Sequence, residues 1–265
     1  MNPIMVSRPI IAIRPMLAGA MLWLVLMSIS LHAYAQVAGT VTQLSGPMMA
    51  KKADGKVKIL SLKSEVESGD TLMTEKNTYA LVKFIDNSEI TLKPATTFVV
   101  EQFAYQAEQP DGDRASFNLV KGGLRSLSGL LGKRNKEKFS LKTPVATIGI
   151  RGTYFTADYV SAGGAKVTGP SAPKTASPTA PTLAPGLYTS VTTGQIVVSN
   201  PGGTQDIVAG QFGFTPTSNS PTMLVPKSSG LQFTLPAKLG GDVWGAIGQP
   251  ATASEESKGP ECIVR

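Results

Sequence analysis

The sequence of 265 residues predicts an all-β protein built from short strands. Three observations carry that expectation. Runs rich in Val, Ile, Thr, Phe and Tyr recur between turn signals every ~8–12 residues, the rhythm of a sheet of short strands. Between residues 37 and 160 no long apolar period of 3.6 is available for crossover helices, which argues against βαβ units. The stretch from Thr143 to Phe155 gathers Val145, Thr147, Ile148, Ile150, Thr153, Tyr154 and Phe155 around Gly149 and Gly152. Those glycines permit a bulge, a sharp corner or a close backbone approach. Pro144 fixes its own φ and pushes Thr143 towards extended backbone, so the stretch reads as a strand, a corner and a second strand.

Taken in order, residues 1–35 read as a secretory signal peptide. Arg8 and Arg14 supply the positive region, Met16 to Leu31 the apolar run, and Ala33-Tyr34-Ala35 the small-x-small site, with cleavage expected before Gln36. An uncleaved anchor is the alternative, but the run is shorter than the ~20 residues that span a bilayer comfortably. Without a twin-arginine pair or a lipoprotein cysteine, general export to the periplasm is expected. Beyond Gln36 the charge is mild, with 23 basic against 18 acidic residues. Scattered lysines and the Lys133–Lys138 cluster read as solvated loop, so no nucleic acid is expected as partner. Cys262 is the sole cysteine, which leaves no intrachain disulfide.

Val37 to Leu44, Lys56 to Leu62 and Thr71 to Thr74 read as strands separated by Ser45-Gly46-Pro47 and Ser68-Gly69-Asp70. Tyr79–Ile85 and Glu89–Leu92 flank Asp86-Asn87-Ser88, three residues suited to a hairpin with one residue in the left-handed region. Pro94 belongs at a corner before Thr97–Phe103, and Gln106–Arg114 reads as an exposed loop. Ser116–Val120 is a strand turned at Gly122-Gly123, and Leu124–Leu131 is extended or a short helix. Ser161–Gly186, rich in Ser, Ala, Gly, Pro and Thr, reads as a disordered linker or insertion. Strands return over 187–214 to complete the domain, and 215–265 reads as a mostly flexible tail, with Leu231–Leu235 extended and Val243-Trp244 docking locally.

Arg151 is a charge in an apolar run; if buried it needs a carboxylate, and Asp70 and Asp86 are the candidates. Ser68-Gly69-Asp70, Phe84-Ile85-Asp86-Asn87-Ser88, Leu92-Lys93-Pro94-Ala95-Thr96, Lys121-Gly122-Gly123-Leu124-Arg125 and the run from Thr143-Pro144 through Gly149, Arg151-Gly152-Thr153 and Phe155 occur in that order. Together they resemble the FecR domain, named for a regulator of iron-citrate transport. The resemblance covers about residues 37–160 and, more loosely, Thr193–Val198 and Val208–Gln211. It implies a coiled, solenoid-like β domain, which corner elements between short strands also suit; a β-sandwich is the alternative. The insertion at 161–186 departs from the family's shorter connection. Asp70, Asp86, Thr143, Pro144, Gly149, Arg151, Gly152, Thr153 and Phe155 are read as a structural motif, with Arg151 locking the corner.

No catalytic, cofactor or metal residue is expected. His32 is the only histidine and lies in the signal peptide, which removes His-based triads and His metal sites from the mature chain. Asp70, Asp86, Glu89 and Glu101 are not spaced to aim two carboxylates at one substrate. The expectation is an exported, non-catalytic module of the bacterial envelope, serving recognition, signalling or scaffolding and binding a protein partner by exposed strand edges. The alternative is glycan binding, with Tyr79, Phe103, Tyr105 or Tyr154 as stacking platforms, although core roles are the first expectation for these rings. The resemblance also brings sigma-factor restraint. Only about 15 residues precede the apolar run, fewer than a folded region needs, so that activity and a carboxylate-based hydrolase rank below.

Overall fold

A computed structural model describes residues 36–161 and 183–226. The expected signal peptide, most of the linker, and the tail beyond Pro226 with its Leu231–Leu235 and Val243-Trp244 readings lie outside the described residues. The chain runs β1 (Val37–Leu44), β2 (Met48–Lys51), β3 (Val57–Leu60), β4 (Glu65–Glu67), β5 (Thr71–Thr74), β6 (Ala80–Phe84), β7 (Glu89–Leu92), β8 (Thr97–Ala104) and β9 (Arg114–Leu127). After helix α1 (Leu130–Arg134) come β10 (Phe139–Lys142), β11 (Thr147–Ile150), β12 (Tyr154–Val160), β13 (Gly186–Thr193), β14 (Gln195–Asn200), β15 (Gly203–Val208), β16 (Phe212–Thr215) and β17 (Met223–Val225). The protein is all-β.

Hydrogen bonding sorts the strands into two layers. The first runs β4-β1-β6-β7-β9-β12-β13-β16-β17. The second runs β3-β2-β5-β8-β9-β10-β11-β14-β15, with β9 and β10 parallel and every other pair antiparallel. The chain passes back and forth between the layers one or two strands at a time. β9 pairs into both layers, so the strands form one continuous open mixed sheet whose path coils back on itself, which fits the coiled arrangement better than two separate sheets of a β-sandwich.

β9 joins the layers. Its first part pairs with β8 and β10, and its last residues, Gly122 to Leu127, pair with β7 and β12. Gly122-Gly123 is therefore not a turn that ends a strand. Gly122 sits at φ +86°, where a side chain is strained, and lets one strand bend out of one layer into the other. Asn87, at φ +63°, closes the β6–β7 hairpin. Val160 pairs with Gly186, so the long insertion leaves and re-enters a single antiparallel ladder.

Phenylalanines fill the space between the layers. Phe84 from the first layer meets Phe103 and Phe117 from the second at ring-centroid distances of 4.8 and 5.3 Å. Phe98 stacks on Phe117 at 5.4 Å. Phe98, Phe103, Phe117 and Phe155 are fully buried, and truncating such a ring to alanine costs about 3–5 kcal/mol. Alternation supplies the inward residues of strands such as β14, where Ile196 and Val198 are buried, while in β6 Leu81 is buried along with Ala80, Val82 and Phe84.

Two polar segments are more ordered than their composition suggests. The lysine-rich stretch after Gly132 contains the end of α1, from which Arg134 reaches into the 106–114 loop. Its Nε and Nη2 donate to the two carboxylate oxygens of Asp113, both at 2.7 Å, and Nη1 donates to Ala107 O. Asn135 Nδ2 donates to Asp113 as well, and the guanidinium lies 4.5 Å from the centre of the Tyr105 ring. Part of the segment read as tail is also structured, because β17 pairs with β16.

The bond from Arg134 holds the buried Asp113 carboxyl below its usual range, with Asn135 assisting. A depressed folded-state pKa contributes stability that is present above the unfolded value and lost as pH falls through the folded one. Asp113→Asn is expected to lower the melting temperature at neutral pH, and the gap from wild type is expected to close as the pH is taken below the ordinary carboxylate range. Melting curves of both proteins across acid pH check this; parallel curves would contradict it.

Candidate functional site

The stretch singled out in the sequence lies where the chain crosses between layers. β11 belongs to the second layer, β12 to the first, and Arg151-Gly152-Thr153 is the bend between them. Thr143-Pro144 precedes it as the turn of the β10–β11 hairpin. There Thr143 Oγ1 donates to Ala146 O at 2.7 Å and accepts from Ala146 N at 3.0 Å, while Pro144 is exposed. The turn suits Pro144, whose fixed φ and missing N–H fit a turn better than a ladder.

The bend is held by side chains bonding main chain. Thr153 Oγ1 donates to Gln195 O at 2.6 Å and accepts from Arg151 N at 3.2 Å. Ser128 Oγ accepts from Thr153 N and donates to Thr153 O, both at 2.9 Å, and Ser128 N donates to the same carbonyl. Gly152 sits at φ +66° with open space where a Cβ would stand, so its requirement is conformational rather than steric. A Cβ on Gly194 would collide with the Gly152 carbonyl. Phe155, one residue into β12, is fully buried in the core. Gly149 lies mid-strand opposite Val197 with no close neighbour; it forms no corner or bulge, and nothing here requires a glycine.

Arg151 does not lock this corner through a carboxylate. Its side chain is exposed, so water solvates the guanidinium and no buried partner is needed. Asp70 and Asp86, the proposed partners, are buried and occupied elsewhere. Asp70 Oδ2 accepts from Lys52 Nζ and from Glu67 N, each at 2.9 Å. Asp86 accepts from Ser88 N at 2.9 Å, Ser88 Oγ at 2.6 Å and Leu131 N at 3.2 Å, and its carbonyl accepts from Leu130 N. Asp86 thus ties the β6–β7 turn to the start of α1.

The β6–β7 turn, the start of α1 and the Arg151–Thr153 bend border a half-open cleft of about 330 Å³, where Asn87, Ser128, Leu130, Lys133, Gly152 and Thr193 line the walls. Its chemistry is that of a holding surface: hydroxyls, a side-chain amide and one lysine, with no carboxylate in the lining. Among the described residues no group of three or more His, Cys, Asp or Glu could hold a metal ion.

The Lys93–Thr96 and Gly122–Arg125 motifs meet away from the bend. Thr96 Oγ1 donates to Gly123 O and accepts from Gly123 N, both at 3.0 Å, while Thr74 Oγ1 donates to Lys93 O at 2.7 Å. Lys93 Nζ reaches Asp158 Oδ1 at 2.7 Å, close over Gly123, where a Cβ would collide with the Asp158 carboxylate. Burial raises the Asp158 pKa, opposed by Lys93. Arg125, buried on the outer face of the first layer, lies 5.3 Å from the Tyr154 ring centre; burial lowers the pKa of Arg125 and raises that of Tyr154. Sequence reading passed over Lys93, Arg125 and Asp158 as site residues. The available signal was membership of the Leu92–Thr96 and Lys121–Arg125 motifs for Lys93 and Arg125, and for Asp158 a lone acid in the β-forming run after Thr153. Of the rings read as stacking platforms, Phe103 is core, Tyr105 lies under Arg134, Tyr154 lies beside Arg125, and Tyr79 is half-buried.

Two substitutions separate conformational from bonding roles. Gly152→Val forces a β-branched residue into the left-handed region and is expected to destabilise the fold by about 1–3 kcal/mol, with Gly152→Asn losing less. Asp86→Ala leaves the Leu131 N–H buried without its carboxylate acceptor and is expected to lose about 1–3 kcal/mol. Chemical denaturation measures both, and unchanged midpoints would contradict the assignment.

Residues 70–168 match the family model described as FecR protein. No curated protein matches the chain. Two crystal structures of a candidate anti-sigma factor from Parabacteroides distasonis align with TM-scores of 0.40 and 0.39 at 14% and 13% identity. Each alignment covers 58% of this chain and 58% of the other, so this chain spans less than two thirds of their length. A cell surface anchoring domain aligns with a TM-score of 0.23 at 19% identity, over 23% of this chain and 82% of that one. Similarity at that level leaves the architecture to rest on the strand pairings themselves. The family match runs from the buried Asp70 turn through the Arg151–Thr153 bend and past the end of β12, and over residues 70–168 the chain carries a segment that matches the FecR family.

Proposed function

We propose that this chain is an exported, non-catalytic recognition module of the bacterial envelope, which holds a partner protein against its β surface as part of signalling or scaffolding. The signal-peptide pattern of residues 1–35 supports export, with cleavage before Gln36. One observation carries the rest: most of the buried polar side chains of the family motifs are spent on the fold. Asp70, Asp86, Thr96, Thr143 and Thr153 each bond main chain at a turn or crossing, as a scaffold does. What the domain offers outward is strand edges and the cleft beside the bend. Recognition through main-chain edges needs no reactive group, only an unpaired strand and side chains that fit its neighbour.

The test is capture in place. Photo-crosslinkers are placed at exposed positions on the strand edges and around the cleft, and the chain is expressed with its own N-terminus. A defined envelope protein is expected to crosslink at a contiguous subset of positions, and the mature N-terminus is expected to begin at Gln36. Crosslinks spread evenly over all positions, or an intact chain in the cytosol, would overturn the proposal.

A further inference from the structure

The three most exposed large hydrophobic side chains among the described residues lie on or just after one strand. Ile59 and Val57 of β3 are 76% and 60% exposed, and Leu62 is 58% exposed. Among the described residues β3 is the outer strand of the second layer, paired only with β2. Natural sheets protect such edges, so an apolar one marks a surface that something covers.

Main-chain geometry shows which groups are open. Lys52 N donates to Lys56 O at 2.8 Å, which closes the β2–β3 hairpin with a hydrogen-bonded pair. In an antiparallel ladder bonded and non-bonded pairs alternate, so Lys58 and Leu60 bond towards β2 while the N–H and C=O of Val57 and Ile59 point away. The side chains of Val57 and Ile59 stand on the outer face. There Ile59 lies opposite Met49, which lies opposite Met73, and both methionines are half-buried. Lys51 stands opposite Val57, and Lys58 points to the other face. Asp54 neutralises Lys56 at 2.8 Å, whereas Lys51, Lys58 and Lys63 are exposed with no ion pair among the described residues.

Two of the other edges carry acid: β4 has three residues, two of them glutamates, and β15 carries Asp206 and one exposed large apolar residue, Val208. β17 exposes Met223 and Leu224, each 49%, less than Val57 or Ile59, and its three residues hold no charge and are followed by Pro226.

We propose that β3 is the docking edge of this domain and that its occupant is an extended segment of the partner in which apolar and acidic residues alternate. The inference rests on the recognition reading above and names its site. Lys56-Val57-Lys58-Ile59 alternates basic and apolar, so an added strand places β-branched residues beside Val57 and Ile59 on the outer face and carboxylates beside Lys58 on the other. A second copy of β3 is a poor occupant, because antiparallel self-pairing brings lysines against lysines.

The probes are two ten-residue peptides, one alternating Glu and Val, the other Lys and Val, tested on the full chain. The Glu/Val peptide is expected to bind at least tenfold more tightly, to weaken with added salt, and to slow hydrogen exchange at the Val57 and Ile59 amides. Ile59→Pro removes an outward N–H without touching the β2 ladder, and is expected to abolish binding while the melting temperature holds. Lys51→Glu with Lys58→Glu is expected to reverse the preference towards the Lys/Val peptide. Absent or equal binding of the two peptides, protection confined to other strands, or self-association that Ile59→Pro abolishes would overturn the proposal. In the envelope crosslinking assay, a partner captured equally by wild type and Ile59→Pro removes the β3 site and leaves the recognition reading standing. Capture by neither removes the recognition reading itself.

Discussion

Each time the chain leaves one layer for the other, its main-chain N–H and C=O groups step out of a ladder, and no buried amide can be left without a partner. That requirement shapes this protein more than any single apolar contact does, because the path crosses between layers so often. Short side chains with an oxygen near the backbone meet it. At the bend after β11, Ser128 Oγ takes from Thr153 N and gives to Thr153 O, while Thr153 Oγ1 gives to Gln195 O and takes from Arg151 N. Ser68 does the same for Phe103, giving to its carbonyl at 3.1 Å and taking from its N–H at 2.9 Å. Asn200 Nδ2 serves Val145 O, Thr217 O and Ser220 O from one position.

The same requirement explains which parts of the fold could be read in the sequence. A turn that needs a hydroxyl, a left-handed residue or a fixed φ advertises itself locally. Thr-Pro, Asp-Asn-Ser and Arg-Gly-Thr were therefore visible as punctuation, with strands legible between them. The β6–β7 hairpin is the clearest case, since Asn87 takes the left-handed conformation that its residue type favours. Gly122 misled for a physical reason. A positive φ is compatible with a turn or with a bend inside a continuous strand, and only the pairing of β9 with both layers decides between them.

What the sequence did not disclose were the contacts between charges far apart along the chain. Lys93 and Asp158 meet across 65 residues, and Arg134 reaches Asp113 across 21. Nothing local distinguishes Arg134 from the lysines around it. Its fate depends on α1 being positioned by the Asp86 carboxylate, itself 45 residues upstream of its bonding partner Leu131. Arg151 is the converse, a charge whose glycine and apolar neighbours suggested burial. Both of those glycines belong to the local chain, while the guanidinium itself points to water, so the composition around a residue was no guide to its exposure.

A division of labour follows for where specificity resides. Residues that satisfy main chain at crossings are committed: changing them alters folding, and they have little capacity left for a ligand. An edge strand is under the opposite condition, because its outward main-chain groups are satisfied by water and its side chains are free to vary without disturbing the core. The Val57–Leu60 strand adds two exposed β-branched residues to that freedom, beside the exposed Lys58 that an edge strand serving only the fold would also carry. On the recognition proposal, the motifs that match the family and the surface that would meet a partner are different residues. A family match can then define the architecture while the binding preference is written in the side chains of a single peripheral strand.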